Sequence, residues 1–189
     1  MEGEQPPQNF SKQPTMKNLK ALTLTALTAF GIAAAPAAKA QVKEIVPQQF
    51  THPAVQRVAH LLNRAGVPII DAGNHKRCQP DGRGGVLYGF YNPKANGMVL
   101  CTANGDNAKI IETFLHEAVH VIQDCRMGLK NESTATGYGA KQMANRLPAE
   151  EVRWVRSHYP HDQHNHEFEA RFLDNSPEAI AKGLTTYCF

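Results

Sequence analysis

The sequence predicts one α+β domain that is mostly helical and contains a small antiparallel β-sheet or hairpin. Three observations predict this fold class. Several segments carry apolar residues at helical spacing, two neighbouring segments are rich in β-forming residues, and residues 41–189 contain neither an internal repeat nor an inter-domain linker. A stretch of about 150 residues is long enough to bury one hydrophobic core.

The N-terminal segment is predicted to be a leader rather than part of this domain. Lys17 and Lys20 form a basic start, the stretch from Ala21 to about Ala35 is apolar, and Ala38-Lys39-Ala40 is a small-x-small cleavage pattern. We interpret this order as a cleaved secretory signal, after which Gln41 becomes the first residue. The apolar run is too short to cross a bilayer comfortably, so we expect no stable membrane anchor.

The leader changes what the composition implies. Residues 1–15 are polar and rich in Pro and Gln, and either Met16 is the true start or these residues form a disordered extension. Residues 1–40 hold four of the 20 Lys and Arg residues and two of the 17 Asp and Glu residues, so their removal lowers the net charge from +3 to +1. Because of the predicted leader, we expect residues 41–189 to form a secreted or periplasmic domain. Because the net charge of this domain is close to zero, we expect neither nucleic acid nor an anionic membrane as a partner.

All four cysteines, Cys78, Cys101, Cys125 and Cys188, follow the leader. An even number of cysteines in an exported chain predicts two disulfides, for which three pairings exist. We favour Cys78–Cys101, which ties a loop to a nearby strand, and Cys125–Cys188, which fastens the C-terminal segment to the end of a long helix. The alternative of a four-cysteine zinc site is disfavoured because no two cysteines form a Cys-x-x-Cys pair.

The first elements of the domain are a helix, an extended segment and a hairpin. Proline suits the first turn of a helix and glycine its end, so a helix is predicted from Pro53 to Gly66. Val67–Ile70 is a short extended segment. Val86–Tyr91 and Met98–Cys101 are rich in β-forming residues and flank a turn-rich stretch, which predicts a β-hairpin.

The second half of the domain is predicted to be helical. The predicted helices cover about residues 107–124, the second part of 127–146, 147 to about 157, about 165–173, and Ser176-Pro177-Glu178 to near Gly183 or Tyr187. Phe114 and Trp154 lie on two of these helices and are expected in the core.

The helix at about residues 107–124 carries the motif His116-Glu117-Ala118-Val119-His120. Residues four apart lie on the same face of a helix, so the imidazoles of His116 and His120 can bind one Zn²⁺ ion. Glu117 follows the first histidine directly and can reach a zinc-bound water without being a ligand. The motif therefore predicts a zinc-dependent hydrolase with Glu117 as general base.

Leu115–His120 together with a downstream Glu-bearing helix resembles the zincin metallopeptidases, in particular the gluzincin group. The resemblance implies a minimal zincin-like fold, a Zn²⁺ cofactor, and a peptide or protein as substrate. It also implies that Met98–Cys101 is an edge strand that binds an extended substrate by β-pairing. The metzincin branch needs Gly and His after the second histidine, and Val121–Arg126 supply neither.

The third zinc ligand in this family is a glutamate, and the predicted helix at about 165–173 offers two. Glu169 is preferred because it lies on the apolar stripe of that helix, and Glu167 is the alternative. The His-rich bend at 158–166 could also supply a ligand. Tyr159 and His166 are candidates to stabilise the oxyanion of a tetrahedral intermediate.

A second hypothesis does not require catalysis. The same ligands, or the histidines of the bend at 158–166, would also suit a non-catalytic metal-binding or interaction protein of the cell envelope. The metal-binding protein predicts bound metal without turnover, whereas an interaction domain would have a motif that no longer binds metal, so that a chelator leaves its stability unchanged.

Overall fold

The computed structural model describes residues 43–46, 49–72, 75–80, 85–128 and 140–189. The predicted leader and residues 129–139 lie outside the described residues. Within them the chain forms six α-helices and a four-stranded mixed sheet, which confirms the α+β class. The elements are β1 (Lys43–Glu44), α1 (Pro53–Arg64), β2 (Ile69–Asp71), β3 (Gly89–Asn92), β4 (Gly97–Leu100), α2 (Asn107–Arg126), α3 (Ala140–Ala144), α4 (Ala149–His158), α5 (His164–Leu173) and α6 (Pro177–Tyr187).

The end of α1 and the start of α2 can each be explained by a residue at the helix boundary. α1 stops before Gly66, whose φ of 74° is a left-handed conformation that glycine adopts without strain. α2 begins after Asp106, whose side chain accepts a hydrogen bond from the Lys109 N–H at 2.9 Å. None of the helices in the described part of the chain is long and apolar enough to cross a membrane.

The sheet has the strand order β1-β2-β4-β3. β3 and β4 form the predicted antiparallel hairpin, in which Gly89 lies opposite Leu100. β2 pairs with β4 in parallel, with Ile69 opposite Met98, and β1 pairs with β2 antiparallel. The sheet is thus mixed rather than purely antiparallel, because the extended segment after α1 joins the hairpin along the free side of β4.

The position of β4 corrects one expectation. Met98–Cys101 was expected to be an edge strand that pairs with substrate, but β4 is hydrogen-bonded to β2 on one side and to β3 on the other. Its backbone groups are therefore already paired. β3 is the edge strand beside α2, so any free backbone groups at this edge belong to Gly89–Asn92.

The core lies around α2, against which α1 and α6 pack. Phe114 of α2 is fully buried as predicted and stacks on Phe50, with ring centroids 4.5 Å apart. Trp154 is 39% exposed, so its predicted core position is wrong. The reason is that α4 lies at the surface, where Val155 is the buried residue of that helix.

Both predicted disulfides are confirmed. Cys78 is bonded to Cys101, with Cα atoms 5.4 Å apart, and this bond joins the loop before β3 to the residue after β4. Cys125 is bonded to Cys188, with Cα atoms 5.1 Å apart, and this bond joins the end of α2 to the end of α6. One disulfide therefore links the hairpin to the loop that precedes it, and the other links the motif helix to the C-terminal helix.

Candidate metal centre

α2 places the two motif histidines side by side. His116 and His120 are one helical turn apart, and their ring centroids are separated by 5.0 Å. Both side chains line a cleft of about 370 Å³ between α2, β3 and the segment around α5. The predicted pair of imidazoles therefore faces one space.

α5 brings a carboxylate to this pair. Oε2 of Glu167 lies 3.3 Å from Nε2 of His116, and Oε1 of Glu167 lies 3.4 Å from Nε2 of His120. One nitrogen from each histidine and one oxygen of Glu167 all lie within 4.8 Å of one another. Among the described residues, these three side chains form the group that could hold a metal ion.

The group fits a zinc ion on two counts. Zinc with bonds of about 2.0–2.1 Å in a tetrahedron separates its ligand atoms by about 3.3 Å, close to the two measured nitrogen–oxygen distances. In addition, the buried Oε2 of Glu167 makes no hydrogen bond of normal geometry, and its polar neighbour is Nε2 of His116 at 3.3 Å. Burial of a carboxylate oxygen without a good hydrogen bond is costly, and a bound cation would satisfy it.

The outer nitrogens of both histidines have acceptors. Nδ1 of His120 lies 2.8 Å from Oε1 of Gln123, and Nδ1 of His116 lies 3.4 Å from Oδ2 of Asp174. When each Nδ1 carries the proton, each Nε2 keeps its lone pair toward Glu167. Metal-binding histidines are commonly oriented in this way by a carboxylate or carbonyl group.

Glu169, the preferred third ligand in the sequence analysis, faces away from the histidines. Its Oε1 accepts a hydrogen bond from Arg126 at 2.6 Å, and its Oε2 accepts one from the Gln123 side chain at 3.0 Å. Because residues two apart on a helix point to different sides, only one of the two glutamates can face the histidines. That residue is Glu167, so the order of preference is reversed.

Glu117 lies in the same cleft and is held by the edge strand. Its Oε2 accepts a hydrogen bond from the backbone N–H of Tyr91 at 2.8 Å. The Tyr91 hydroxyl in turn lies 2.7 Å from Oδ2 of Asp124. Tyr91 therefore joins β3 to α2 twice, and one of these contacts orients the predicted general base.

Both candidate oxyanion donors line the cleft. Tyr159 is half-buried at the end of α4, and burial together with the negative charge of Glu167 raises the pKa of its phenol. His166 is half-buried on α5, and burial and the nearby His120 lower its pKa. The other histidines of the bend lie elsewhere: His158 stacks on Trp154.

The charged side chains of the centre strongly shift one another's pKa values. Burial alone would lower the pKa of His116, but the carboxylates of Asp174 and Glu167 outweigh it and raise this pKa to about 9. Burial alone would raise the pKa of Glu167, but His116 and His120 hold it below its usual range. The cleft thus favours positive charge at the position where the three side chains meet.

Sequence reasoning missed the supporting residues. Asp174, whose carboxylate faces His116, lies seven residues, or about two helical turns, after Glu167. That spacing is the signal that could have placed Asp174 on the same face as Glu167. Gln123 lies three residues after His120 on α2, so spacing alone places these two side chains together. Tyr91 carried no comparable signal, because its contacts depend on how β3 packs against α2.

The fold and the centre define a mixed α/β domain with a candidate HExxH metal site. Comparison with protein families matches residues 49–189 to a domain of unknown function, DUF8637. The chain belongs to this family, and the match includes every residue of the centre. A comparison with curated proteins and one with solved structures found no match.

Proposed function

We propose that this protein is an exported zinc-dependent hydrolase, and specifically a metallopeptidase with a zincin-like centre. His116, His120 and Glu167 would hold the zinc ion, and Glu117 would act as general base. The proposal keeps the gluzincin pattern of two histidines and a downstream glutamate, but with Glu167 in place of Glu169.

One observation carries the proposal. The Nε2 atoms of both motif histidines meet the carboxylate of Glu167 at 3.3 and 3.4 Å, while both Nδ1 atoms face acceptors on Gln123 and Asp174. A pair of surface histidines would need neither the buried glutamate nor the two outer acceptors. The arrangement suits metal binding much better than it suits an unoccupied helix face.

The chain's own residues then account for the chemistry. A bound zinc ion would supply Lewis acidity and lower the pKa of a coordinated water. Glu117 accepts the proton of the attacking water and returns it to the leaving amine. One of its oxygens is held by the Tyr91 N–H, which fixes the carboxylate in the cleft beside the histidines.

Tyr159 is the better candidate for stabilising the oxyanion. Its raised pKa keeps the phenol neutral and able to donate a hydrogen bond over the whole pH range in which such a hydrolase would work. His166 lines the same cleft and is the alternative donor.

Export is part of the proposal because of the disulfides. Two disulfides within the described residues fit an oxidising compartment such as the periplasm or the extracellular space. The leader predicted from the sequence provides the route to that compartment.

The test combines metal analysis with hydrolysis. The purified exported protein is expected to hold one zinc ion per chain and to cleave an unfolded protein such as casein. Glu117→Gln should keep the zinc ion but lose hydrolysis by at least about a hundredfold, the typical lower range for a general base. Glu112→Gln is the matched control, because Glu112 is a half-buried acid of the same helix that pairs with Lys109 and does not line the cleft; this variant should retain both properties.

The same measurements decide between this function and the second hypothesis. Zinc at one equivalent without cleavage of any protein or peptide would favour a non-catalytic metal-binding protein. The hydrogen bond from Tyr91 to Glu117 is the observation that gives this alternative weight, because it engages one oxygen of the proposed base. Absence of stoichiometric zinc would contradict both readings.

A further inference from the structure

Arg77 is a cation placed at the cleft without an assigned role. It lies on a short helical turn, Lys76–Cys78, and its side chain lines the cleft together with the metal-centre residues. Of the described residues that line the cleft, Arg77 is the one Lys or Arg. The remaining charged groups there are imidazoles and carboxylates.

The guanidinium of Arg77 has a defined resting place. It lies over the ring of Phe90, 4.4 Å from the ring centroid. Phe90 precedes Tyr91 on β3, and Tyr91 holds Glu117 through its backbone N–H. Arg77 is therefore one strand residue away from the backbone group that orients the proposed base.

The backbone that carries Arg77 is anchored. The next residue, Cys78, is bonded to Cys101 after β4, and its carbonyl accepts a hydrogen bond from the side chain of Asn104. The N–H of Arg77 donates to Nδ1 of His75 at 3.1 Å. These contacts hold the arginine in position relative to the hairpin.

No carboxylate neutralises Arg77 among the described residues, since none of their ion pairs includes it. The cleft carboxylates are used elsewhere: Glu117 and Asp124 face Tyr91, and Glu167 faces the motif histidines. A guanidinium that lies over an aromatic ring keeps its N–H groups available in its own plane, where they match the two oxygens of a carboxylate.

We propose that Arg77, stacked on Phe90, binds a carboxylate of the substrate and makes the cleft selective for peptides that carry one close to the scissile bond. The carboxylate is either an Asp or Glu side chain or the free C-terminus of a short peptide. As a statement about substrates, this inference rests on the proposed hydrolase function.

The test uses three synthetic peptides with one neutral backbone. The first has a Glu side chain and an amidated C-terminus, the second has Gln and an amidated C-terminus, and the third has Gln and a free C-terminal carboxylate. Binding is measured by titration calorimetry on zinc-loaded Glu117→Gln protein, so that cleavage does not interfere.

At least one carboxylate peptide should bind about tenfold or more tightly than the Gln amide peptide, as expected for a charged hydrogen bond. Which of the two binds more tightly identifies the source of the carboxylate. Adding Arg77→Gln should remove the difference, whereas Lys76→Gln, a neighbouring exposed cation outside the cleft lining, should preserve it.

Equal binding of the three peptides would overturn the inference, and so would a difference that survives Arg77→Gln, because the carboxylate would then bind the metal rather than the arginine. Cleavage of the same peptides by the unmodified protein is scored separately. Arg77-dependent binding without cleavage would reject the hydrolase and leave a peptide-binding cleft, while cleavage without a carboxylate preference would reject the role of Arg77 alone.

Discussion

At the scale of single residues, Glu167 and Glu169 have opposite tasks although they are two positions apart on α5. Glu167 is 6% exposed and faces two histidines, whereas Glu169 is 1% exposed and is paired with Arg126. One glutamate therefore completes the centre, and the other holds α5 against α2.

This division predicts different outcomes for two matched substitutions. Glu167→Gln should weaken zinc binding by more than the roughly 10–100-fold that is typical for loss of an outer partner of a ligand. Glu169→Gln should keep one zinc per chain but destabilise the fold by about 1–3 kcal/mol, since a buried charge loses its partner's charge. Metal analysis and urea unfolding of both variants check this, and loss of zinc only in the Glu169 variant would contradict it.

Glu167 and Glu169 also show which part of the candidate site could not be predicted from the sequence. His116, Glu117 and His120 were predictable because a four-residue spacing fixes their common face whatever surrounds the helix. The choice between Glu167 and Glu169 depends on the rotation of α5 relative to α2. That rotation is set by contacts such as the Gln123 side chain with the carbonyl of His166, which no local pattern reports.

At the scale of elements, the site depends on how closely β3 approaches α2. A Cβ atom at Gly89 would lie 2.8 Å from the Val99 backbone oxygen and 2.9 Å from Cγ2 of Thr113. Only a glycine fits where the edge strand meets the motif helix. The close approach is what allows Tyr91, two residues further along β3, to reach Glu117.

Gly89→Ala is therefore expected to push β3 away from α2 and to destabilise the protein by about 1–3 kcal/mol through overpacking. Gly97→Ala in the same hairpin is the control, because its Cβ would meet no atom closer than 3.7 Å. Thermal unfolding of the two variants checks the prediction. Equal stability of the two would mean that the strand can shift without cost.

Of the strand pairings in the sheet, only one could be predicted from the sequence. The β3–β4 hairpin was predictable from two β-rich segments around a turn, because such strands pair with their neighbours in the chain. The parallel pairing of β2 with β4 joins segments almost 30 residues apart, so no turn signal marks it. For the same reason the sequence misassigned the edge of the sheet to Met98–Cys101.

At the scale of the whole molecule, the centre connects α2 to α5, and a metal that binds the folded state alone should stabilise the entire domain. At a free zinc concentration of about 100 times Kd, the gain is about 2.7 kcal/mol, which corresponds to a Tm increase of roughly 5–10 °C for a domain of this size. Calorimetry with and without a chelator measures the difference. His120→Ala should show no response to either, and an equal shift in that variant would place the binding elsewhere.

The two disulfides divide the chain into two covalent rings with the motif helix largely between them. The first ring, residues 78–101, contains Phe90 and Tyr91, and the second, residues 125–188, contains Glu167 and Asp174. His116, Glu117 and His120 belong to neither ring. Of the three side chains that could hold a metal, only Glu167 lies within a ring, and that ring is closed by Cys125–Cys188. Reduction of Cys125–Cys188 is therefore expected to weaken zinc binding more than reduction of Cys78–Cys101, whose ring holds the strand that contacts Glu117.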